Sequence, residues 1–238
     1  MDPLALRYLN AMGIQAWADR NRPPTPARPA FIDADVLPGM DGLSTAVPTS
    51  DDESEWAALE AEVRACTRCD LHRSRKQAVF GAGNRRAGLM VIGEAPGAEE
   101  DAQGLPFVGR AGQLLNEMLA AIGLPREAVY IANILKSRPP GNRDPLPEEA
   151  AACADFLRRQ LALVRPRVIL AVGRIAAQQL LASEQRVGAL RGRVHEYAGI
   201  PLVVTYHPSY LLRTPGDKRK AWEDLLLAAR LLRQDSGR

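Results

Sequence analysis

Four short apolar segments, separated by helical stretches, constrain the fold of this 238-residue chain more than any other feature. The segments read GLMVIGE, AVYIANIL, RVILAVG and IPLVVTYHP. The stretches between them carry apolar residues at the three- and four-residue spacing of amphipathic helices. Continuous apolar strands that alternate with helices favour a parallel sheet buried on both faces. The sequence therefore predicts an α/β fold with a central four-stranded, mainly parallel sheet flanked by helices on both faces.

The region before residue 53 differs from the rest in composition. Residues 21–52 are rich in Pro, Gly, Ser, Thr and Asp without helical or strand periodicity, which predicts a flexible linker. Residues 1–20 carry Leu4, Tyr8 and Met12 at helical spacing, which predicts a short helix that packs on its own domain or docks a protein partner. Residues 53–238 are predicted to form one domain, and 46% hydrophobic residues suffice for its core.

Hydropathy and charge limit the classes of protein to which this chain can belong. No apolar run approaches the roughly 18 residues of a membrane span, and the N-terminal stretch lacks the order of a secretory signal, so a cytoplasmic protein is expected. The net charge is only +3, but basic residues are concentrated locally. Such clusters suit a polyanionic partner. They are Arg138 and Arg143; Arg186, Arg191 and Arg193; and Arg213, Lys218, Arg219 and Lys220.

The chain contains three cysteines, an odd number. Cys66 and Cys69 are spaced C-x-x-C, and Cys153 is the third. An odd count without a secretion signal argues against a disulfide framework. Metal ligation, redox chemistry and ordinary small-residue usage all remain open.

Residues with binding chemistry follow the predicted strands, where an open parallel sheet binds its ligands. The first strand leads to GEAPG and GLPFVG, in which Phe107 offers a flat aromatic face. The second ends at Asn133, whose amide presents a donor and an acceptor together. The fourth leads to HPSYLLR, in which His207 can donate a hydrogen bond to a developing anion. The alternative interpretation of the first segment is a plain strand-to-helix turn with Phe107 as a core residue. The alternative for Asn133 is a turn cap.

The same HPSYLLR segment carries two adjacent leucines, Leu211 and Leu212, next to Arg213. We expect both leucines to be exposed. An apolar tip with a basic flank is typical of a wedge that enters a DNA duplex.

Together these motifs resemble the iron–sulfur family of the uracil-DNA glycosylase superfamily, usually numbered family 4. The resemblance runs from about Cys66 to Leu232 and includes C-x-x-C, GEAPG, EED, PFVG, N-x-x-K, RPPGNRDP, a distant Cys, LRG and HPSYLLR. It implies the three-layer sandwich of that superfamily. It also implies a base excision repair enzyme that flips uracil out of DNA and hydrolyses its N-glycosidic bond, leaving an abasic site.

The resemblance implies roles for particular residues. His207 would stabilise negative charge on the departing base, Asn133 would read its polar edge, and Glu94 is a catalytic candidate without a defined base role. The expected uracil-binding residues are Ala95, Glu100, Phe107 and Asn133, with Phe107 as the stacking surface and Glu100 as the wall that excludes thymine. The expected DNA-binding residues are Arg138, Arg143, Ser209, Tyr210, Leu211, Leu212 and Arg213. We expect a monomer that acts on single- or double-stranded uracil-containing DNA.

In the family that this sequence resembles, four cysteines hold a 4Fe-4S cluster with a structural role. Cys66, Cys69 and Cys153 match three of them, and Ser137 occupies the fourth position. Because a serine oxygen is a harder donor than a thiolate, three alternatives stay open. They are an intact cluster with the Ser137 oxygen or solvent at the fourth iron, a labile or three-iron cluster, and zinc or no metal.

Two other functions are weighed against the enzyme. One is covalent capture of uracil-containing DNA through a histidine in an inserted basic loop. His195 follows the LRG motif, but no basic insertion precedes it. The other is a DNA-binding scaffold that lost its activity with the fourth cysteine.

Overall fold

The computed structural model describes residue 10 and residues 50–234 of the chain. Within them, six strands form one sheet with the order β1-β3-β2-β4-β6-β5. The four central strands are parallel, and the two edge strands are antiparallel to their neighbours. The strands are β1 (Ala82–Gly83), β2 (Leu89–Gly93), β3 (Tyr130–Asn133), β4 (Val168–Val172), β5 (Val194–Tyr197) and β6 (Ile200–Thr205).

The prediction of a mainly parallel α/β sheet is confirmed, but the count of four strands omits the two edges. β1 is two residues long, and β5 alternates exposed and half-buried residues, so neither forms a continuous apolar run. Every residue of β2 and β4 is buried, as expected for strands covered on both faces.

Helices cover both faces of the sheet and complete three layers. One core contains Trp56, Phe156 and Leu180 on one face, and the other contains Leu115, Leu119 and Leu225. The α-helices of the described residues are α1 (Ser50–Ala65), α2 (Ala98–Gln103), α3 (Arg110–Ala121), α4 (Pro147–Val164), α5 (Arg174–Leu181), α6 (Val187–Leu190), α7 (Pro208–Arg213) and α8 (Lys218–Gln234). Short 3₁₀ segments comprise Asp70–Arg73, Arg126–Ala128, Pro140–Asn142 and Pro215–Asp217.

The N-terminal predictions fall largely outside this description. Apart from residue 10, the helix expected within residues 1–20 lies outside the described residues, and so does the linker expected at residues 21–52 up to residue 49. Helix α1 begins at Ser50, before the domain boundary predicted at residue 53. Over the described part of the chain, none of the helices combines the length and apolar character needed to cross a bilayer.

Candidate functional site

A cavity of about 770 Å³ lies at the carboxyl ends of the four parallel strands. Each of these strands ends in or is followed by a residue that lines it: Glu94 after β2, Asn133 at the end of β3, Gly173 after β4 and His207 after β6. The structure therefore brings together the four strand ends at which a site was predicted.

Phe107, Asn133 and His207 converge on one side of this cavity. The rings of Phe107 and His207 have centroids 5.6 Å apart and an interplanar angle of 31°. A Cβ placed on Gly93 would lie 2.5 Å from the Asn133 Oδ1 atom and 2.7 Å from the Phe107 ring. Only a glycine at the end of β2 allows the amide and the ring to approach this closely.

The Asn133 side chain has a buried acceptor without a donor. Its residue is 2% exposed, and among the described residues Oδ1 has no hydrogen-bond partner. An unsatisfied buried polar group costs about 1–3 kcal/mol, so its retention favours a ligand that supplies an N–H group.

Lys136 and Gln160 fix the backbone of Asn133 from inside the protein. The Lys136 Nζ group donates to the Asn133 carbonyl at 2.8 Å and to Gln160 Oε1 at 2.6 Å. Lys136 is 1% exposed, and burial lowers the pKa of its amine to about 7. Lys136 belongs to the N-x-x-K motif, from which no role was predicted for it. Gln160 could not be predicted, because it lies inside an amphipathic helix with no motif around it.

The His207 ring is oriented by the residue two positions after it. The Ser209 N–H donates to His207 Nδ1 at 3.1 Å, and the Ser209 hydroxyl lies 2.7 Å from the same nitrogen. Burial, with a smaller contribution from Arg213, lowers the pKa of His207 to about 4. Because Nδ1 accepts, the neutral ring carries its hydrogen on Nε2, which is left as a donor.

Glu100 holds the loop that carries Phe107. Its Oε1 atom accepts from the N–H groups of Val108 and Gly109 at 2.9 and 3.1 Å, and its Oε2 atom accepts from the Gly97 N–H at 3.1 Å. Phe107 itself has a φ of 52°, a left-handed conformation that costs a bulky residue roughly 1–3 kcal/mol. The carboxylate of Glu100 thus stabilises a strained segment at the edge of the cavity.

Glu94 and Ala95 line the cavity next to this loop. Burial raises the pKa of the Glu94 carboxyl, the Asp144 carboxylate raises it further, and the Arg174 guanidinium acts in the opposite direction. Arg174 and Asp144 form an ion pair at 2.5 Å. The acidity of Glu94 is therefore set by burial and by this nearby pair.

Helix α7 corrects the expectation that both leucines of HPSYLLR are exposed. Leu211 is 1% exposed and belongs to the core, whereas Leu212 is 38% exposed. Neighbouring helical residues point about 100° apart, and the face of α7 that packs on the core includes Leu211 but not Leu212. Ser209, Tyr210 and Arg213 of the same helix line the cavity.

The two arginines of the RPPGNR loop have partners within the protein. Both guanidinium Nη atoms of Arg143 bind the Glu149 carboxylate, at 2.9 and 2.6 Å. The Arg138 Nε atom donates to Asn142 Oδ1 at 2.7 Å. Of the two arginines, Arg143 lines the cavity.

The three cysteines lie near one another. Cys153 is 4% exposed and belongs to a small buried cluster against which Cys69 packs, while Cys66 packs on the larger core. Burial raises the pKa of the Cys153 thiol, and the thiols of Cys69 and Cys66 raise it further. Within residues 50–234, no three His, Cys, Asp or Glu side chains are arranged to hold a single metal ion.

Ser137 is already engaged by a cation. The Arg75 Nη1 group donates to Ser137 Oγ at 2.8 Å, and its Nη2 group donates to the carbonyls of Arg64 and Cys66 at 2.8 and 2.9 Å. Three thiols are suitable donors for an iron–sulfur cluster. By the chemistry of their donor atoms, the residues therefore suit such a cluster at three positions, while the fourth offers a hydroxyl that accepts a hydrogen bond from Arg75.

The chain belongs to the uracil DNA glycosylase superfamily, whose sequence model matches residues 80–226. The type-4 uracil-DNA glycosylase of Archaeoglobus fulgidus is 46% identical over 65% of this chain and 81% of its own length. That of Thermotoga maritima is 42% identical over 74% of this chain and 94% of its own. The type-5 uracil-DNA glycosylase of Pyrobaculum aerophilum is 34% identical over 54% and 64%, respectively. The type-4 matches confirm the resemblance drawn from the motifs.

Proposed function

We propose that this chain is a uracil-DNA glycosylase that excises uracil during DNA repair and leaves an abasic site. The superfamily match and the relatives named type-4 uracil-DNA glycosylases support this activity. The observation that carries it is the convergence of Phe107, Asn133 and His207 at one cavity. A base in a duplex is not accessible to such a cavity, so the nucleotide must be flipped out.

Recognition of the base is assigned to Asn133, Phe107, Ala95 and Glu100. The Asn133 amide offers a donor and an acceptor side by side, which complements the N3–H and O4 groups of uracil. Its Oδ1 atom, which has no hydrogen-bond partner within the described part of the chain, supports this role. Phe107 provides the stacking surface. Glu100 is held by three backbone amides, which supports a fixed wall that excludes the methyl group of thymine.

Bond cleavage is assigned to His207, with Glu94 as the second polar group. The N1–C1′ bond breaks with its electron pair on uracil, and the neutral His207 donates its Nε2–H to the uracil O2 atom. Such a preorganised donor typically lowers a barrier by about 2.7–4 kcal/mol. Water then adds through its oxygen to the cationic C1′ and releases one proton, which balances the uracil anion. Glu94 orients that water from the cavity wall.

DNA binding is assigned to α7 and to the RPPGNR loop. Leu212 is the exposed apolar residue that fills the space of the flipped nucleotide, and Leu211 supports it from the core. Ser209, Tyr210 and Arg213 flank it, and Arg138 and Arg143 are the candidate phosphate contacts. For Arg143 this contact requires that phosphate compete with Glu149. The substrate is single- or double-stranded uracil-containing DNA, and the protein acts as a monomer in the cytoplasm.

The cofactor assigned to this chain is an iron–sulfur cluster of the 4Fe-4S type. Cys66, Cys69 and Cys153 would hold it, with Ser137 or solvent at the fourth position. When bound it would cross-link the end of α1, the loop after β3 and helix α4. Arg75 links two of these segments by its own hydrogen bonds to Cys66 and Ser137. We also propose that residues 53–238 form the glycosylase domain, preceded by a linker and a short helix that docks a partner.

Covalent capture and an inactive scaffold are less well supported. His195 lies on edge strand β5, where its Nε2 atom is 2.6 Å from the Leu190 carbonyl, and it is not among the residues that line the cavity. The scaffold is disfavoured because Asn133 and His207 are present and converge.

The test is incubation of the purified protein with a uracil-containing oligonucleotide and with a matched thymine oligonucleotide. We expect alkali-cleavable product from the uracil substrate alone. An adduct that survives SDS would instead support capture, and DNA binding without product would support the scaffold. His207→Ala serves as the control for excision by a contaminating enzyme.

A further inference from the structure

The loop around Phe107 determines where the aromatic ring stands in the cavity. Phe107 is 6% exposed and non-glycine, yet its φ is 52°. A strained conformation of this kind persists only where surrounding contacts fix it. The contacts that fix Phe107 therefore control the position of its ring beside Asn133 and His207.

Arg126 holds the carbonyl side of this loop. It lies on the 3₁₀ segment before β3, and its Nη2 group donates to the Pro106 carbonyl at 2.5 Å. Its Nη1 group donates to the Phe107 carbonyl and to Asn116 Oδ1, both at 3.1 Å. Two consecutive carbonyl groups are thus bound by one planar cation, whose fixed fork suits this double contact.

Glu100 holds the amide side of the same loop through the N–H groups of Val108 and Gly109. The strained residue therefore lies between a cation that binds the carbonyls of residues 106 and 107 and an anion that binds the amides of residues 108 and 109. The Phe107 carbonyl also packs on α3, because a Cβ on Gly112 would lie 1.9 Å from its oxygen.

We propose that Arg126 is a positioning residue for base recognition: it keeps Phe107 in its left-handed conformation and thereby holds the ring as the stacking surface of the cavity. This role rests on the proposed function, in which that ring stacks on uracil. Arg126 contacts the backbone of the loop and acts on the base through the Phe107 ring.

The first test measures the environment of the Phe107 ring by ¹⁹F NMR and does not depend on catalysis. The chain contains four phenylalanines, so protein labelled with fluorophenylalanine gives few ¹⁹F resonances, and Phe107→Leu identifies that of Phe107. In Arg126→Met we expect this resonance to shift and broaden while those of Phe80 and Phe156 stay unchanged. Arg158→Met, on the exposed side of α4, is the matched control. An unchanged Phe107 resonance would overturn the proposal, as would an equal change in all resonances.

The second test is a double-mutant cycle on uracil excision. We expect Arg126→Met to lower kcat/KM roughly tenfold, Arg126→Lys to recover part of the loss, and DNA affinity to stay unchanged. In a Phe107→Ala background, Arg126→Met should lower kcat/KM less than about twofold, since no ring is left to position. An equal loss in both backgrounds would refute the positioning role. Absence of excision by the unaltered protein would refute the glycosylase function, while the ¹⁹F measurement would still decide the role of Arg126.

Discussion

Gly93 and Asn133 are paired across β2 and β3, and the Asn133 Oδ1 atom occupies the space where a Cβ of residue 93 would stand. The Phe107 ring occupies the other side of that space. The positions of the Asn133 amide and of the Phe107 ring therefore depend on the absence of one methyl group at residue 93.

Gly93→Ala is expected to displace both groups. A Cβ only 2.5 Å from the amide oxygen forces a shift, because that atom belongs to a buried side chain. We expect kcat/KM for uracil excision to fall at least about tenfold, equivalent to ~1.4 kcal/mol of barrier. Gly216→Ala is the matched control, since no atom lies within 4 Å of a Cβ there. Equal rates of excision for the two variants would show that the space between Asn133 and Phe107 tolerates the methyl group.

His207→Ala is expected to lower the single-turnover rate of excision about 10²–10³-fold with little change in DNA affinity. The reason is that the Nε2–H donor acts on charge that develops as the bond breaks. Rates and binding are measured on the same uracil-containing oligonucleotide. A rate equal to that of the unaltered protein would remove His207 from the mechanism.

The low pKa of His207 also predicts a pH dependence of stability. The folded protein holds the ring neutral down to a pKa of about 4, whereas the unfolded chain takes up the proton near pH 6.5. Between these values the unfolded state binds more protons, so the free energy of unfolding falls as the pH is lowered. We expect the melting temperature of His207→Gln, relative to the unaltered protein, to rise as the pH falls from 7 to 4. A constant difference would contradict this linkage.

Leu211→Ala and Leu212→Ala form a matched pair of substitutions, one in the core and one at the surface. Leu211→Ala removes a core side chain and should lower the free energy of unfolding by roughly 2–5 kcal/mol. Leu212→Ala should leave the melting temperature unchanged but lower excision from double-stranded DNA more than from single-stranded DNA, because only the duplex needs a wedge. Equal losses on both substrates would show that Leu212 does not act as a wedge.

Ser137→Cys tests the fourth cluster position. A thiolate is the better iron donor, so we expect higher iron and sulfide content and stronger brown absorbance than in the unaltered protein. Ser183→Cys, at a half-buried position just after α5, controls for the added thiol. Iron content that is equal in all three proteins would show that Ser137 does not limit cluster assembly.

The sequence predicted those parts of the fold and site that depend on local pattern. β2, β3, β4 and β6 were found because buried parallel strands are continuous apolar runs, and strand-end topology then located Asn133 and His207. Edge strand β1 has two residues and gave no pattern. The burial of Leu211 depends on which face of α7 meets the core, which a single turn does not specify.

Contacts between distant parts of the chain could not be predicted. Arg75 meets Ser137 across 62 residues, and Arg126 meets Phe107 across 19. An arginine that binds a backbone carbonyl has no characteristic spacing or neighbour, so its sequence context looks like that of any exposed arginine. The motifs predict where a ligand binds, whereas the residues that hold those motifs in place become visible only in three dimensions.

Residues 129–137 are buried without interruption, a run that contains β3 with Asn133 at its end and finishes at Ser137. No residue of this run is exposed, so a substitution anywhere in it must be accommodated by packed neighbours. Ser137 lies four residues after Asn133 in the same run, so Ser137→Cys alters the packed segment that also holds Asn133.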